Sequence, residues 1–340
     1  MFGSMSRRMT VQIGVFVLVL LVLPVFVRDA YFLHVLILSL LFATFASAWH
    51  LVTGFAGLKT FGHQAFFGVG AYTSALLCKN YGLSPWLMMW VAGLAAALAG
   101  LLIAMPVLRI RSMPHVAIVT LGFGEIVRSV LSIWKDVTRG ELGLWGIPTY
   151  EGFSLPLVGE VVFNAANKIP YYYLILGLFL LAGAVILGLM RSRHGLAIIA
   201  MRESQNAAES LGIDLVRYKL SVFIISAFIV GVCGAFYAHY LVLLTPTSVA
   251  GMDLVIVIVA MTLVGGIGTF YGPIVGAFVL TLGVESMREL GQYRMLIYGG
   301  LVIAAVMFFP RGLAPLVERI GGGFGGGVRS KPVPAPDPAP

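Results

Sequence analysis

The chain has 340 residues, of which 59% are hydrophobic and only 11% are charged. Globular domains in water are about half apolar and about a quarter charged, so this composition excludes a water-soluble protein and predicts one that crosses a membrane several times. The net charge of +8 does not indicate nucleic-acid binding, because the basic residues are in short loops and in the C-terminal tail.

Apolar runs of about 20 residues, the length that crosses a bilayer as a helix, recur along the chain. We predict about ten transmembrane helices, at residues 11–27, 31–53, 63–81, 85–108, 113–135, 171–190, 217–243, 249–268, 272–290 and 292–309. With the N-terminus in the cytoplasm, these crossings leave most of the 22 Lys and Arg residues on the cytoplasmic side, as the positive-inside rule requires. The chain is therefore predicted to be an all-α, polytopic membrane helical bundle over residues 1–320, with both termini cytoplasmic.

The first of two glycine-rich interruptions, residues 54–70, lies between the second and third spans. Its glycines include Gly57, Gly62 and Gly68, and glycine at this density permits a broken helix and close approach of the backbone. His63 and Gln64 occur at the same place. They are candidates for a polar pathway through the bundle, or they are structural groups that hold the interruption together.

The intramembrane charges form two short-range sets. Glu125 and Arg128 are one helical turn apart in the fifth span, and Glu285 and Arg288 repeat that spacing in the ninth. An unpaired charge at mid-bilayer costs about 3 kcal/mol on insertion scales, so pairing and burial within the bundle are expected. Two interpretations stay open: a polar patch on a translocation pathway for a zwitterionic solute, or self-neutralising pairs that orient the helices.

Residues 136–170 contain several glycines, prolines and charges, which predict an extracytoplasmic loop able to hold short turns of helix. The polar segment 191–217, between the sixth and seventh spans, is the longest charged interval between apolar runs. Within it we predict a short helix over 196–211, preceded by a break at Gly195 and ended by a cap at Gly212. This helix is either a docking site for a partner or an amphipathic element at the membrane surface.

The second glycine-rich interruption, residues 265–276, lies between the eighth and ninth spans. It contains Gly265, Gly268, Gly272 and Gly276, and the last three follow a four-residue spacing that predicts a flat packing seam on one helix face. Both interruptions are candidate flexing points. The segment 321–340, GGGFGGG followed by a proline-rich run, cannot pack a core and is predicted to be a disordered cytoplasmic tail.

The sequence contains no motif that would place catalytic, nucleotide-binding or metal-binding side chains together. The nearest approach to a phosphate loop is Gly57-Leu58-Lys59-Thr60, where Leu58 stands in place of the glycine that must precede the lysine. The six histidines have no metal-ligand spacing. We therefore predict no enzyme activity, no ATPase site, no metal and no cofactor in this chain.

Several ordered motifs resemble one family, the branched-chain amino acid ABC importer permeases of the LivM type. They are TGFAGLKTFGHQAFFGVGAYTSALL (53–77), TLGFGEIVRSVL (120–131), RSRHGLAIIAMRESQNAAESLGID (191–214), GGIGTFYGPIVGA (265–277) and FPRGL (309–313). The likeness extends from about residue 30 to 315. It implies a permease in the bacterial inner membrane, embedded in the lipid bilayer, with no nucleic-acid partner.

The resemblance also implies partners. They are a LivH-type permease, two ABC ATPase subunits of the LivG and LivF type that bind ATP and Mg²⁺, and a periplasmic amino-acid-binding protein. Such permeases dock on the ATPases through a cytoplasmic coupling helix with an EAA…G pattern. Here Asn206-Ala207-Ala208 and Gly212 match that pattern except that Asn206 replaces its Glu. The implied ATPase-coupling residues are Arg202, Glu203, Asn206, Ala207, Ala208 and Gly212.

The function predicted in this way is ATP-driven import of branched-chain or similar hydrophobic amino acids. One alternative keeps the machinery and changes the cargo to urea, short amides or other amino acids. A second alternative is an ion-coupled secondary transporter that works alone, and a membrane-embedded enzyme is the least favoured class.

Overall fold

A computed structural model describes residues 7–26, 29–110, 112–155, 159–164, 167–287, 293–309 and 312–313 as a bundle of helices. The first five helices are α1 (Arg7–Phe26), α2 (Ala30–His50), α3 (His63–Tyr81), α4 (Pro85–Arg109) and α5 (Met113–Ile133). The next five are α6 (Lys135–Thr138), α7 (Ile169–Arg191), α8 (Arg193–Glu203), α9 (Gln205–Ser210) and α10 (Leu215–Leu241). The last four are α11 (Pro246–Ala250), α12 (Met252–Gly265), α13 (Gly272–Ser286) and α14 (Arg294–Phe308). The predicted tail at 321–340 lies outside the described residues.

Helices occupy all the positions at which spans are predicted. Among the described residues, six segments are long and apolar enough to cross a membrane: Ala30–Phe55, Pro85–Arg109, Pro114–Ile133, Ile169–Arg191, Leu215–Leu241 and Pro246–Gly265. Gly14–Phe26 and Gly272–Ser286 are shorter apolar helices. The polytopic helical membrane bundle is therefore confirmed, whereas the count of about ten spans stays a prediction.

The eighth predicted span, 249–268, corresponds to the apolar segment Pro246–Gly265. This segment consists of two helices, α11 and α12, which are separated at Gly251, where the backbone is extended, and residues 266–268 lie beyond its end. Thr245 and Ser248 form a reciprocal capping box at the start of α11, and this cap fixes where the short helix begins.

The core is built where α3, α4 and α10 pack side by side. A Cβ added to Gly70 of α3 would overlap the carbonyl of Gly231 on α10, and one added to Gly231 would overlap Ala96 of α4. Gly234 meets the carbonyl of Phe67 in the same way. Of these glycines only Gly70 belongs to a glycine-rich interruption of the sequence, and small residues at helix contacts are what permit such close approach in membranes.

The second glycine-rich interruption joins α12 to α13. A Cβ at Gly265 would overlap the Gly272 carbonyl, and one at Gly276 would overlap the Met261 carbonyl, so the two helices touch backbone to backbone. Gly268, however, lies outside α13 in a turn with φ of 92°. The predicted three-glycine seam on one helix face is therefore wrong at Gly268, because the helix begins only at Gly272.

The predicted outer loop contains strands as well as helical turns. A 3₁₀ turn spans Gly140–Leu142, and the strands are β1 (Leu144–Trp145), β2 (Phe153–Leu155), β3 (Gly159–Val161) and β4 (Leu243–Leu244), which follows α10. β1 pairs antiparallel with β4, and β2 pairs antiparallel with β3. The β1–β4 ladder, together with a 2.7 Å hydrogen bond between His239 Nδ1 and the Pro148 carbonyl, holds the loop on α10. Strands of two or three residues are too short to show the alternation of apolar and polar residues that predicts a strand.

Candidate functional site

The 191–217 segment forms two helices, α8 and α9, rather than one. The predicted single helix over 196–211 is wrong because Ser204 adopts an extended backbone and caps α9, its Oγ accepting from the Ala207 amide at 3.3 Å. Gly195 lies inside α8, whose start is capped by Ser192. The predicted cap at Gly212 is confirmed, since Gly212 has φ of 80° and its amide donates to the Glu209 carbonyl.

One face of this segment is buried and the other is open. Ala197, Ile198, Met201 and Ala208 are buried. Glu203, Asn206, Ala207 and Gly212 are exposed. Of the residues implied to contact an ATPase, Ala208 is thus turned toward the bundle, while its neighbours Asn206 and Ala207 are accessible.

Two leucines stand out on the open face. Leu196, in α8, is 60% exposed, and Leu211, the C-cap of α9, is 79% exposed. Neither leucine is among the ATPase-coupling residues that the family resemblance implies. Their exposure adds apolar surface to the polar groups already implied there.

Arg202 connects that open face to the bundle: its side chain is 39% exposed, and its Nε lies 3.8 Å from Oε1 of the exposed Glu203. Its Nη1 donates to the Gly54 carbonyl at 3.0 Å, across 148 residues of sequence. Gly54 belongs to a π-helix, Leu51–Phe55, that ends the second span, so the first glycine-rich interruption is indeed a broken helix. A Cβ on Gly57 would lie 3.0 Å from Arg202 Cγ, which shows how closely the arginine stem rests on this interruption.

The second glycine-rich interruption contacts the end of α2, next to the same π-helix, through His50. The Gly268 amide donates to His50 Nε2 at 2.9 Å, across 218 residues of sequence. A Cβ on Gly54 would overlap the His50 ring, and one on Gly268 would lie 3.7 Å from Arg202 Nη1. We call this set of His50, Gly54, Gly57, Arg202 and Gly268 the junction. Sequence reasoning named Gly57, Arg202 and Gly268 separately and missed His50, whose position as one of six scattered histidines carries no signal.

A separate contact anchors α9. Lys219, in the first turns of α10, is only 3% exposed, and its Nζ donates to Gln205 Oε1 at 3.0 Å. α8 is therefore hydrogen-bonded to the π-helix and α9 to α10, and α8 also packs against α7 and α10.

His63 is buried between hydroxyl groups. Its Nδ1 lies 3.2 Å from Thr60 Oγ1 and its Nε2 lies 3.0 Å from Ser226 Oγ. Ser226 donates its only proton to the Ala48 carbonyl at 2.7 Å, so it must accept from Nε2–H, and the ring is then neutral with Nδ1 as acceptor. Every polar atom of this ring has a partner, which favours the structural interpretation of His63.

Gln64 differs from its neighbour. It is 1% exposed, and its Oε1 has no hydrogen-bond partner among the described residues. Its amide rests against Gly124 of α5, where a Cβ would overlap it. Two glycines of this interruption also sit where larger residues have no room: Gly62 against the Thr120 carbonyl, and Gly68 with 3.1 Å between an added Cβ and Ala250 Cβ.

Arg128 pairs with Glu125, as their spacing predicts, with Arg128 Nε donating to Glu125 Oε1 at 2.8 Å. The expectation of burial is wrong, because the two side chains remain 32% and 41% exposed. The reason is that α5 lies at the edge of the bundle and leaves most of its length uncovered. Glu285 lies in the last turn of α13, and its predicted partner Arg288 is outside the described residues.

A cavity lies away from these residues. It has a volume of about 290 Å³, opens between α2, α4, α7 and α10, and is lined by apolar atoms. None of the candidate site residues lines it. Within the part of the chain that the structure describes, no group of three His, Cys, Asp or Glu residues could hold a metal ion.

The structure thus defines the class as a multi-pass helical membrane protein whose polar surface segment is hydrogen-bonded to the first glycine-rich interruption. The family model described as "Branched-chain amino acid transport system / permease component" matches residues 31–309. The chain is 34% identical over 327 residues to the high-affinity branched-chain amino acid transport system permease protein LivM of Escherichia coli K12, covering 91% of this chain and 76% of that protein. The LivM protein of Salmonella typhimurium matches equally well. The chain belongs to this branched-chain amino acid ABC permease family, as its motifs indicate.

A more distant relative is the probable branched-chain amino acid permease LivH of Methanocaldococcus jannaschii, 23% identical over 268 residues, which are 76% of this chain and 82% of that protein. No solved structure matches the chain.

Proposed function

We propose that this chain is the transmembrane permease subunit of an ABC importer for branched-chain amino acids in the bacterial inner membrane. Separate ATPase subunits power it and a periplasmic binding protein delivers the solute. The family match supports this substrate class, because the two relatives with 34% identity are named as branched-chain amino acid transport permeases. One structural observation carries the transport mechanism: the exposed 191–217 segment is hydrogen-bonded to a helix break inside the bundle.

The 191–217 segment is the ATPase docking site in this proposal, and it lies in the cytoplasm together with both termini. Its contact surface consists of Leu196, Glu203, Asn206, Ala207 and Leu211, all of which are exposed. An exposed leucine beside small and polar residues suits a groove on a partner, because apolar anchors within a polar rim dominate protein interfaces. ATP and Mg²⁺ bind to the partner subunits, and this chain supplies the surface they move.

The uncovered face of α5 is where a second, LivH-type permease packs. A span that carries an ion pair on its open side is poorly suited to lipid, because charges within a bilayer are expected to face protein or a water-filled path. Glu125 and Arg128 would then border a translocation pathway between the two permeases. The carboxylate and guanidinium offer complementary partners to the ammonium and carboxylate of an amino acid, while the apolar residues of α5 accommodate an aliphatic side chain.

Docking can be tested by enlarging the exposed alanine. Ala207→Trp should abolish stimulation of ATP hydrolysis by the loaded binding protein in the reconstituted importer, because the ring occupies space that a partner needs. Ser112→Trp, at an exposed loop position on the same predicted side, is the matched control and should keep stimulation. If both variants behave alike, or if ATPase subunits do not co-purify with the parent chain, the docking proposal fails.

Cargo is tested through the cognate binding protein. A thermal-shift screen should show stabilisation by leucine, isoleucine or valine and not by urea or short amides. Stabilisation by urea alone would favour the alternative cargo within the same machinery. Uptake into vesicles driven by a proton or sodium gradient without ATP would favour the ion-coupled alternative.

A further inference from the structure

Arg202 is the residue through which the exposed segment is hydrogen-bonded to the first glycine-rich interruption. The sequence motif assigns it to the ATPase contact, but its guanidinium is directed at the Gly54 carbonyl inside the π-helix. A π-helix displaces backbone groups from their regular partners and often marks a functional position. A charge-assisted hydrogen bond to such a carbonyl is stronger than a neutral one, so Arg202 is well suited to hold the break in shape.

His50 extends the same connection to the second break. It occupies the last turn of α2, directly before the π-helix, and accepts from the Gly268 amide at 2.9 Å. His50 is 1% exposed, so water does not compete for this bond. Gly54 is wedged between the two side chains: the His50 ring covers its Cα, and Arg202 binds its carbonyl.

Three segments far apart in sequence therefore meet at the junction. They are α8, the π-helix at Leu51–Phe55, and the turn between α12 and α13. The π-helix and the turn take part through backbone atoms, the carbonyl of Gly54 and the amide of Gly268, whereas α8 takes part through the Arg202 side chain. Arg202 and His50 are the only side chains that supply the bonding partners for these two contacts.

We propose that Arg202 and His50 are positioning residues that make α8 and the two glycine-rich breaks move as one body during transport. A displacement of α8 by the ATPases is then passed directly to the ends of α2, α12 and α13, rather than being absorbed in the loops. This inference rests on the proposed function, since it presumes that the ATPases move α8.

The geometric test uses pairs of spin labels in the whole reconstituted importer. Labels at Arg193 of α8 and Ile267 of the turn span the junction, and both positions are exposed. Labels at Arg193 and His115, an exposed position at the start of α5, provide the reference. The expected result is that ATP trapping changes the 193–115 distance and leaves the 193–267 distance unchanged.

The functional test removes the junction bonds. Arg202→Gln should widen the distribution of distances between the labels at 193 and 267. It should also lower uptake per ATP hydrolysed on the order of tenfold, which corresponds to the loss of one partly exposed, charge-assisted hydrogen bond. Arg109→Gln, an exposed arginine with the same change of charge, should do neither. His50→Gln, which keeps an acceptor near Nε2, should couple better than His50→Phe, which removes it.

Different outcomes would contradict the single-body proposal and the proposed ATPase coupling on which it rests. A 193–267 distance that changes with ATP in the parent overturns the single-body proposal, and so does Arg202→Gln behaving like Arg109→Gln. Loss of co-purifying ATPase subunits from Arg202→Gln also overturns it, because Arg202 would then be a docking contact. If the 193–115 distance does not respond to ATP at all, the proposed ATPase coupling itself has failed.

Discussion

Neutralising the Glu125–Arg128 pair, one residue at a time and then together, separates its two possible roles. The variants are Glu125→Gln, Arg128→Gln and the double substitution. In the parent, Arg128 Nε donates to Glu125 Oε1 at 2.8 Å on the uncovered side of α5, so each single variant leaves one charge on a membrane helix without its partner.

The magnitude follows from the position of the pair. A lone charge at the centre of a membrane helix costs about 3 kcal/mol on insertion scales, which is roughly a hundredfold in an equilibrium. Because the two side chains are 32% and 41% exposed, water or a neighbouring subunit offsets part of this cost, and we expect a decrease of about tenfold in correctly inserted protein. The double variant has no lone charge and should insert as the parent does.

Uptake is then measured per inserted molecule, with insertion scored by protease accessibility of the loops. If the pair borders the pathway, the double variant inserts normally but transports poorly, since the solute loses both polar partners. The swapped pair, Glu125→Arg with Arg128→Glu, controls for charge balance and should also insert. Parent-like uptake by the double variant would refute a place in the pathway and leave the pair a purely structural role.

Three further outcomes are expected. Gly231→Ala should lower the thermal unfolding temperature, because the added methyl group overlaps Ala96 and overpacking costs about 1–3 kcal/mol. The control Gly177→Ala has open space around it and should raise the unfolding temperature slightly, because alanine has the higher helix propensity. Equal shifts in the two variants would contradict this account of the core. Ser226→Ala should destabilise the protein by about 1–3 kcal/mol, because the buried His63 Nε2–H loses its acceptor. Unchanged stability together with lost uptake would instead favour a pathway role for His63. Truncation after residue 320 should leave uptake intact, and a loss would contradict the prediction of a dispensable tail.

The positions of the helices could be predicted because a bilayer demands long apolar runs and the chain supplies them. His63–Tyr81 agrees with its predicted span at both ends, and Pro85–Arg109 differs by one residue. The helix breaks were harder to foresee. Ser204 interrupts the 191–217 segment because one hydroxyl caps the following helix, and a single serine in a polar stretch gives no periodic signal.

The junction lay beyond the reach of sequence reasoning for a different reason. Its two hydrogen bonds join residues 148 and 218 positions apart, and each ends on a backbone atom that every residue possesses. Motif matching located the segments that meet there, since three of the family motifs contain Gly54, Arg202 and Gly268. It could not show the hydrogen bond from Arg202 to the Gly54 carbonyl, because a motif records order along the chain and not direction in space.

Glycine-rich stretches in a membrane protein invite an interpretation as flexible joints, and this chain argues for a narrower one. Gly54 lies under the His50 ring, Gly265 against the Gly272 carbonyl, and Gly276 against the Met261 carbonyl. A glycine held in this way has little freedom of its own, because any rotation about its backbone carries the neighbour that covers it. The small side chain serves close contact, so the breaks are better suited to move as packed bodies than to bend individually. That is the condition under which Arg202 and His50 together can make both of them move with α8.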